Sequence, residues 1–397
     1  MKVKPGLIPD GWEAKTLGNV CGRITTGKLD ANAMVADGDY PFFTCASENY
    51  WIDKYAFDCE ALLVSGNGAN VGYVHYYNGK FNAYQRTYVI SEFSADVQFI
   101  KLFLDRNLQQ RIRTEVNAGN TPYIRMGTLT EMSVVLPRSR DEQRAIAGVL
   151  SDMDALIGSL DQLIAKKRDL KQAAMQQLLT GQTRLPGFHG EWEVKTLASV
   201  LSKGRLGGNY PNQDREADYP LMKMGNIARG YMDTGKVEYI TPGITPDPNH
   251  RLCYGDVLFN TRNTLDLVGK VGIWRNELPI AYYNSNLMRL EFDPQEVCSN
   301  EYANYALNSA VGVARLRALA TGTTSVAAIY TRDLLGMPFN VPPLSEQTAI
   351  AKVLSDIDAE LAALEQRRDK TRALKQGMMQ ELLMGRTRLV DMPRSYE

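Results

Sequence analysis

Residues 142–185 read EQRAIAGVLSDMDALIGSLDQLIAKKRDLKQAAMQQLLTGQTRL, and residues 346–389 read EQTAIAKVLSDIDAELAALEQRRDKTRALKQGMMQELLMGRTRL. The two segments align without a gap at an offset of 204 residues, and 26 of the 44 positions are identical. A shorter match lies upstream of each segment, where WEAKTL at 12–17 corresponds to WEVKTL at 192–197. The chain is therefore an internal duplication in which a divergent block precedes each repeated segment.

Both repeated segments carry the start and stop signals of a helix. Proline precedes each one, a residue suited to an N-cap stands directly before the Glu-Gln pair, and a glycine closes the segment. In the first segment these residues are Pro137, Asp141 and Gly181; in the second they are Pro342-Pro343, Ser345 and Gly385. From Glu142 to Thr180 the first helix would measure about 58 Å at 1.5 Å per residue.

Apolar residues recur in both segments at the spacing of three and four that is typical of a coiled coil. The predicted seam of the first helix is Ile146, Val149, Met153, Leu156, Leu160, Leu163, Leu170 and Ala174. The predicted seam of the second is Ile350, Val353, Ile357, Leu361, Leu364, Thr371, Leu374 and Met378. Lys167 and Arg368 interrupt these seams. Two helices of equal length favour mutual antiparallel pairing, which would place the two blocks at opposite ends of a rod with a pseudo-two-fold axis. The alternative is two amphipathic helices, each packed on its own block.

The two divergent blocks have the pattern of mixed α/β or mostly β structure. Short apolar runs bounded by glycine turns predict strands, and two longer stretches predict helices. The predicted strands are 62–64, 71–74, 84–90, 256–259, 268–274 and 286–290, and the predicted helices are 97–116 and 300–319.

Composition excludes several classes of protein. The 397 residues carry 45 basic and 45 acidic side chains, so a nucleic-acid surface would have to be a local patch or share its charge with a partner. Five scattered cysteines without a CxxC pair, and three distant histidines, argue against a metal site and fit a reducing cytosol. No apolar run approaches 18 residues and the N-terminus lacks a signal peptide, so we expect a cytoplasmic protein.

Two short motifs resemble catalytic sequences without meeting their requirements. The segment from Gly22 to Lys28 is similar to a phosphate-binding loop, but Leu29 stands where Ser or Thr would bind magnesium, and the second block shows no counterpart. Asp10 and Glu13 with Lys15 are similar to a nuclease triad, but the carboxylates are too close in sequence to bracket a metal ion from adjacent strands. The sequence therefore predicts no catalytic, cofactor-binding or metal-binding residue in this chain.

Two related but different modules at a fixed separation would suit a bipartite target such as two half-sites on a DNA duplex. On this pattern the chain resembles the specificity (S) subunit of type I restriction–modification systems, and the resemblance covers nearly the whole chain. It is carried by the Glu-Gln-x-x-Ile-Ala-x-x-Leu-Ser-Asp-x-Asp signature at 142–154 and 346–358, the Leu-Lys-Gln to Thr-Arg-Leu segments at 170–185 and 374–389, the openings Gly11-Trp12 and Glu191-Trp192, and the segments 118–121 and 321–324.

The resemblance implies an α+β fold in which two α/β target recognition domains are separated by two long helices that form an antiparallel coiled coil with pseudo-two-fold symmetry. The implied divisions are target recognition domain 1 (1–141), spacer helix 1 (142–185), target recognition domain 2 (186–345), spacer helix 2 (346–389) and a tail (390–397). Each domain would read one half of a bipartite double-stranded DNA site. The helices would set the spacer and dock two modification subunits, which methylate adenine.

The resemblance also implies that this chain is a non-catalytic subunit without a cofactor of its own. S-adenosylmethionine, ATP and Mg²⁺ would be bound by partner subunits, which include restriction and translocase subunits. The competing hypothesis from the residues alone is a coiled-coil scaffold whose end domains bind proteins. An autonomous enzyme is disfavoured by the missing motifs.

The candidate DNA-contacting residues are basic, amide or tyrosine side chains in glycine-rich or strand-end stretches, which suit phosphate and base contacts. In the first block they are Lys28, Asn67, Asn70, Arg86, Tyr123 and Arg125; in the second they are Lys203, Arg205, Asn209, Lys223, Asn226, Arg262, Asn263 and Asn286. Asn and Tyr in such stretches also form turns, so this role is the alternative for each of them.

The candidate residues for the spacer helices and for partner docking are seam positions and two basic residues within the helices. They are Ile146, Val149, Met153, Leu160, Lys167, Ile350, Val353, Ile357, Leu364 and Arg368. The basic runs around Lys167 and Arg368 would contact modification subunits or spacer phosphates, or else form a solvated helix face.

Overall fold

The computed structural model describes residues 8–115, 123–323 and 325–389. The chain divides into two compact units: the first comprises residues up to Asp161 together with those from Arg367 onward, and the second comprises Gln162–Gln366. Each unit thus contains one divergent block and parts of both repeated segments. The segment 118–121, Thr324 and the predicted tail 390–397 lie outside the described residues. The domain boundaries given above stay predictions.

Helices of very different lengths alternate with short strands along the described chain. They are α1 (Leu17–Val20), α2 (Val97–Glu115), α3 (Met126–Thr130), α4 (Arg140–Leu178), α5 (Leu197–Val200), α6 (Asn300–Asn308), α7 (Ala310–Ala318), α8 (Thr331–Leu335) and α9 (Leu344–Leu382). The long helices α4 and α9 have 39 residues each and coincide with the repeated segments.

The block of the first unit is built on a six-stranded sheet. The block contains the strands β1 (Trp12–Thr16), β2 (Cys21–Thr26), β3 (Tyr40–Phe43), β4 (Tyr50–Ile52), β5 (Phe57–Ser65), β6 (Val74–Ala83), β7 (Thr87–Phe93) and β8 (Ser133–Pro137). The sheet order is β2-β7-β5-β6-β3-β4, and β1 pairs separately with β8. All neighbours are antiparallel except β3 and β6, which run parallel from Phe42 opposite Asn82.

The block of the second unit divides its strands among smaller sheets. The strands are β9 (Glu193–Thr196), β10 (Leu201–Leu206), β11 (Asn212–Gln213), β12 (Pro220–Met222), β13 (Glu238–Ile240), β14 (Val257–Asn260), β15 (Arg262–Asn263), β16 (Val271–Ile273), β17 (Tyr282–Tyr283), β18 (Leu287–Phe292), β19 (Thr321–Gly322), β20 (Ala327–Ala328) and β21 (Pro338–Val341). They form the sheets β10-β18-β14-β16, β11-β13-β12-β17 and β15-β20-β19, with β21 paired to β9.

The two blocks share one topology although their sequences have diverged. In both, the strand that contains the repeated Trp-Glu-x-Lys-Thr motif pairs with the strand just before the long helix, as β1 with β8 and β9 with β21. The central antiparallel order β2-β7-β5-β6 recurs as β10-β18-β14-β16. The parallel pair of β3 and β6 recurs as β12 with β17. The duplication inferred from the helices therefore extends through both blocks.

Most sequence-predicted elements of the blocks are confirmed. The strand predicted at 62–64 lies in β5, and the strands predicted near 84–90, 256–259, 268–274 and 286–290 correspond to β7, β14, β16 and β18. The strand predicted at 71–74 is wrong except at its last residue, because residues 71–73 belong to the glycine turn and β6 begins at Val74. The helix predicted over 97–116 is α2, which the structure describes to Glu115. The helix predicted over 300–319 is wrong as a single element, because Ser309 ends α6 in an extended conformation and caps α7 with its hydroxyl.

The parts of α4 and α9 that lie within one unit pair antiparallel there. In the first unit, Lys375 Nζ lies 2.6 Å from an Asp154 carboxylate oxygen, and Arg372 Nη2 lies 2.8 Å from Asp161 Oδ2. In the second unit, Lys171 Nζ lies 2.5 Å from Asp358 Oδ1 and Arg168 Nη2 lies 2.5 Å from Glu365 Oε1. In each unit residue numbers rise along one helix as they fall along the other, so the antiparallel direction is confirmed.

The predicted seam is partly wrong. Three leucines assigned to the seam of α4 are exposed, as is one in α9; they are Leu156, Leu163, Leu170 and Leu374. Buried or half-buried positions recur instead in α4 at 146, 150, 153, 157, 160, 164, 167, 171, 174 and 178, and in α9 at 350, 354, 357, 361, 364, 368, 371, 375, 378 and 382. The predicted row and the observed row both contain apolar residues. The prediction chose the wrong row because it did not expect lysine and arginine at seam positions.

The predicted N-caps are also wrong, each by two residues. Helix α4 begins at Arg140, so Asp141 lies in its first turn, and the N–H of Gln143 donates to Ser139 C=O at 3.2 Å. Helix α9 begins at Leu344, where Pro343 C=O accepts from the N–H of Gln347 at 3.0 Å. The predicted C′ glycines are confirmed by left-handed φ angles of +73° at Gly181 and +65° at Gly385.

Candidate nucleic-acid interface

The six candidate residues of the first unit, although distant in sequence, lie on one group of loops. We define the first loop cluster as residues 27–30, 66–73, 84–87 and 123–126. Gly66 connects three of these loops, since its N–H donates to Arg86 C=O at 2.9 Å and its C=O accepts from the N–H of Ile124 at 2.8 Å. The N–H of Gln85 donates to Leu29 C=O at 2.8 Å and joins the fourth loop. The cluster therefore contains Lys28, Asn67, Asn70, Arg86, Tyr123 and Arg125.

Tyr123 and Arg125 form a fixed, exposed pair within this cluster. The guanidinium of Arg125 donates to Tyr123 Oη from both Nε, at 3.1 Å, and Nη2, and it lies 5.2 Å from the centre of the tyrosine ring. The hydrogen bond to Tyr123 raises the pKa of Arg125, which keeps its charge fixed. With one edge of the guanidinium held by the phenol, Nη1 is left for a phosphate or a base edge.

Backbone constraints hold the loops that carry these side chains. A Cβ added to Gly27 would lie 1.8 Å from Ala83 O, and Gly72 has a φ of +80° with a virtual Cβ 2.6 Å from Ile112 Cδ1. Asn70 Nδ2 donates to Cys45 C=O at 3.2 Å, so its amide is partly used to hold this loop to a segment distant in sequence. The segment from Gly22 to Lys28, similar to a phosphate loop in sequence, is mostly strand β2, and Gly27 serves close packing of two backbones.

The second unit contains an equivalent group of loops. We define the second loop cluster as residues 207–209, 261–269, 284–287 and 327–331. Here Thr261 takes the place of Gly66, because its N–H donates to Asn286 C=O at 3.0 Å and its C=O accepts from the N–H of Ile329 at 3.0 Å. The candidate residues Asn209, Arg262, Asn263 and Asn286 lie in this cluster. Gly207, with a virtual Cβ 2.1 Å from Tyr283 O, occupies the place that Gly27 has in the first unit.

The remaining candidates of the second unit lie beside the cluster. Lys203 is exposed on β10, and Arg205 on the same strand lies 3.5 Å from Glu291 Oε1. Lys223 Nζ lies 2.8 Å from Glu238 Oε2. Asn226 is buried, and its amide donates to Asp233 C=O at 2.9 Å and to Lys236 C=O at 2.8 Å. Both donors of that amide are used within the loop, so the turn-forming role fits Asn226.

Sequence reasoning missed several residues of these clusters. Exposed Tyr73 belongs to the first cluster. Exposed Leu265 and Tyr330 belong to the second, and exposed Val326 borders it. Buried Asn260 holds the second cluster by accepting from the N–H of Arg262 at 3.2 Å through its side chain. Asn67 forms a β-bridge with Tyr123, and Arg262 pairs with Ala328. The residues that surround each candidate are therefore set by pairing between segments that are distant in sequence. The sequence does contain one sign that the two blocks correspond. Asp-Tyr-Pro occurs at both 39–41 and 218–220, and it marks β3 and β12 as equivalent strands.

The predicted docking residues of the long helices occupy two environments. Ile146, Leu160 and Ile350 are buried, whereas Val149, Met153, Val353, Ile357 and Leu364 are half-buried. Lys167 Nζ forms an ion pair with Glu360, and Arg368 Nη1 lies 3.7 Å from Asp161 Oδ1. These two basic side chains lie in the helix seam, so the alternative of a solvated basic face is wrong for them; partner docking stays a prediction.

A buried glutamate clamps the start of each long helix. Glu142, 1% exposed, receives the guanidinium of Arg388 at both carboxylate oxygens, one at 2.7 Å, and Glu346, also 1% exposed, receives Arg184 at 2.5 Å. The neighbouring glutamines, Gln143 and Gln347, bridge backbone groups of the blocks. The repeated Glu-Gln and Thr-Arg-Leu motifs therefore fix the start of α4 within the first unit and the start of α9 within the second.

No cluster of His, Cys, Asp and Glu side chains suited to a metal ion occurs in the part of the chain that the structure describes. Across the same residues, no helix combines the length and the apolar character needed to span a membrane.

Comparison with known proteins agrees with this architecture. A family model described as the type I restriction modification DNA specificity domain matches residues 9–166 and 189–372. Over 414 residues the chain is 28% identical to the EcoDI specificity subunit of a type I restriction enzyme from Escherichia coli, covering 95% of this chain and 88% of that protein.

Two solved structures share the fold. The crystal structure of the type I restriction–modification S subunit from M. genitalium matches with a TM-score of 0.63 at 18% identity, covering 99% of each chain. A chain from a structure that describes complex assembly and conformational transition of the type I R-M system matches with a TM-score of 0.53 at 15% identity, covering 96% of this chain and 99% of that one.

Two units of one topology, each containing parts of both repeat helices, define the chain as a duplicated protein with mixed α/β units. The chain belongs to the family of type I restriction–modification specificity subunits, on a family match that covers most of its length.

Proposed function

We propose that each unit reads one half of a bipartite site on double-stranded DNA through its loop cluster. The observation that carries this proposal is the equivalence of the two clusters. Both are built at the same place in one shared topology, yet they present different side chains, as Asn67 and Arg86 in the first and Arg262 and Asn286 in the second. A duplicated frame with diverged side chains suits the reading of two different half-sites.

The proposal assigns the spacer and the docking of partners to α4 and α9. The ion pairs between these helices, such as Lys375 with Asp154 and Lys171 with Asp358, fix their direction and register within each unit. Paired helices of fixed register would set the distance between half-sites. Their outward residues would bind two modification subunits that methylate adenine, with restriction and translocase subunits joining the complex.

We further propose that the chain itself is non-catalytic. S-adenosylmethionine would bind to the modification subunits, and ATP and Mg²⁺ to the restriction and translocase subunits. Neutral overall charge suits a subunit whose partners cover part of the duplex. A reducing cytoplasmic location is the corresponding proposal for the cell.

The direct test is a genome-wide map of N6-methyladenine in cells with and without this chain. We expect one split motif to lose methylation when the chain is deleted. If no motif changes while the partner methyltransferase is expressed and active, the recognition proposal fails, and binding to protein partners, as for a scaffold, becomes the reading to test.

Single-residue variants test the loop clusters separately. We expect Arg125→Ala to weaken or relax recognition of one half-site and Arg262→Ala to do so for the other, each by about 10- to 100-fold in affinity, as for loss of a good base contact. The matched control is Arg23→Ala, which removes an exposed arginine on β2 outside the loop clusters and the long helices. Equal effects of Arg125→Ala and Arg262→Ala on the same half-site would contradict the assignment of one cluster to each half.

A further inference from the structure

Two exposed apolar side chains lie at one end of the small sheet in the second unit. Strand β15 pairs antiparallel with β20, with Asn263 opposite Ala327, so the residues that follow β15 and those that precede β20 lie at the same end. Leu265 follows β15 and is 40% exposed; Val326 precedes β20 and is 69% exposed. We call Leu265 and Val326 the apolar tip.

Two glycines and backbone hydrogen bonds constrain the segments that carry the apolar tip. Gly269 has a φ of +74° and donates its N–H to Asn260 C=O at 3.0 Å, which closes the loop that contains Leu265. Gly322 has a φ of +133°, and a Cβ there would lie 2.3 Å from Val326 O, so only glycine allows this hairpin. The N–H of Thr323 donates to Val326 C=O at 2.9 Å. These contacts constrain the backbone beside the two side chains, which lowers the cost of ordering them on binding.

The chemistry of the apolar tip excludes a phosphate contact. Leu265 and Leu267 are exposed on either side of Asp266, and this stretch contains no cation. A carboxylate between two leucines would be repelled by the DNA backbone. The base edges in the major groove offer one apolar group, the 5-methyl group of thymine. Arg262 and Asn286 lie in the same loop cluster and would supply the polar contacts beside it.

The first unit builds its equivalent loop differently. There the N–H of Gly72 donates to Ser65 C=O at 2.7 Å, as that of Gly269 does to Asn260 C=O. The residues between these anchors are 66–71 in the first unit and the longer stretch 261–268 in the second. The shorter loop exposes Asn70 and Ala69, without a large apolar side chain at its tip. An exposed leucine in this loop is therefore present in the second unit and absent from the first among the described residues.

We propose that the apolar tip contacts the 5-methyl group of a thymine in the half-site that the second unit reads. This inference rests on the proposed function and names one of the chemical groups recognised. Leu265 and Val326 are the specificity-determining residues for that thymine.

The test uses the full chain assembled with its own modification subunits and a duplex that carries the mapped target site. Each thymine of the second half-site is replaced in turn by deoxyuridine, which removes only the methyl group. One replacement should lower affinity about fourfold, the factor that about 0.8 kcal/mol per buried methyl group gives at 1.4 kcal/mol per tenfold. In the double variant Leu265→Asn/Val326→Thr this difference between thymine and uracil should disappear.

The matched control is Val194→Thr/Val311→Asn, which alters a valine on β9 that is 67% exposed and a valine on α7 that is 39% exposed. The control should keep the fourfold difference. The inference is overturned if the second half-site contains no thymine, if no replacement changes affinity, or if the double variant keeps the difference. It is also overturned if the double variant impairs assembly with the modification subunits rather than DNA affinity, since the apolar tip would then be a protein contact.

Two further variants separate this inference from the proposed function. If Arg262→Ala and Asn286→Ala leave affinity for the second half-site unchanged, the proposed function fails together with the inference. If they weaken it while deoxyuridine has no effect, the inference alone fails.

Discussion

Arg388 lies within the Thr-Arg-Leu motif that ends the second repeated segment, and it neutralises a carboxylate that is almost completely buried. Removing one partner of such a pair leaves an unpaired buried charge, which costs several kcal/mol. We expect Arg388→Ala to lower the free energy of unfolding of the first unit by about 3 kcal/mol. The measurement is chemical denaturation of the full chain, followed by a fluorescence signal from Trp12 in a variant that lacks the other tryptophans.

The matched control for that variant is Arg386→Ala, two residues away. Arg386 Nη1 lies 3.3 Å from Glu381 Oε1, and both side chains are about half exposed. A pair of this kind contributes less than about 1 kcal/mol. If both variants lose the same free energy of unfolding, the buried pair of Arg388 with Glu142 stabilises the unit no more than an exposed pair does.

His75 gives the first unit a dependence on pH. Burial lowers the pKa of His75 below its usual 6.5, and its Nε2 donates to Ala46 C=O at 2.9 Å. Because the unfolded chain then binds a proton more readily than the folded chain, stability is full above pH 6.5 and falls as the pH drops through the folded pKa. We expect His75→Gln to reduce the loss of stability between pH 7 and pH 5, measured as the shift in Tm. An unchanged pH dependence would contradict this account.

At the residue scale the sequence predicted the kind of side chain better than its surroundings. All six candidates of the first block lie in one loop cluster, but Asn226 in the second is a buried turn former. Nothing local distinguishes Asn226 from Asn286, because the difference arises from strands that pair over long sequence separations.

The long helices contain an exposed glycine whose replacement should stabilise them. A Cβ added to Gly158 in the middle of α4 would meet no atom within 4 Å. Glycine costs about 0.5–1 kcal/mol relative to alanine at an exposed helix position. We expect Gly158→Ala to raise the Tm by a few degrees and Gly181→Ala to lower it, since Gly181 has a φ of +73°. Thermal unfolding in which both variants shift Tm in the same direction would contradict the assigned helix end.

Ion pairs within the seam should specify the pairing of the helices in the second unit. Lys167 contacts Glu360 there, with both side chains partly exposed. We expect Lys167→Glu to lower stability by about 0.5–1 kcal/mol through repulsion of Glu360. The double variant Lys167→Glu/Glu360→Lys should recover most of that loss in a double-mutant cycle. A cycle without a coupling energy would show that this pair has no part in the register.

At the element scale, repetition identified the helices and their length, whereas periodicity misplaced their seam. Leucines at 156, 163 and 170 form a regular apolar row beside the true one, and Lys171 and Lys375 occupy true seam positions. Long side chains can bury their stems in a seam and still reach an acidic partner. Hydrophobicity alone cannot show which of two neighbouring rows is the seam. The contacts between the two helices do show it.

At the scale of the whole molecule, duplication is the feature on which the functional account depends. Each unit has its own core, its own clamp at the start of a long helix and its own loop cluster. The sequence predicted this modular division because the helices are 26 of 44 positions identical, but it did not predict the common topology of the blocks. That topology became visible through strand order, since β2-β7-β5-β6 and β10-β18-β14-β16 share almost no sequence.

The most direct test of two independent readers is an exchange of residues 186–345 for the corresponding block of another member of the family. The N6-methyladenine motif is then mapped in cells that carry either the original or the exchanged chain. We predict that one half of the split motif changes while the other half stays the same. A change in both halves, or in neither while the methyltransferase remains active, would contradict the assignment of one half-site to each unit.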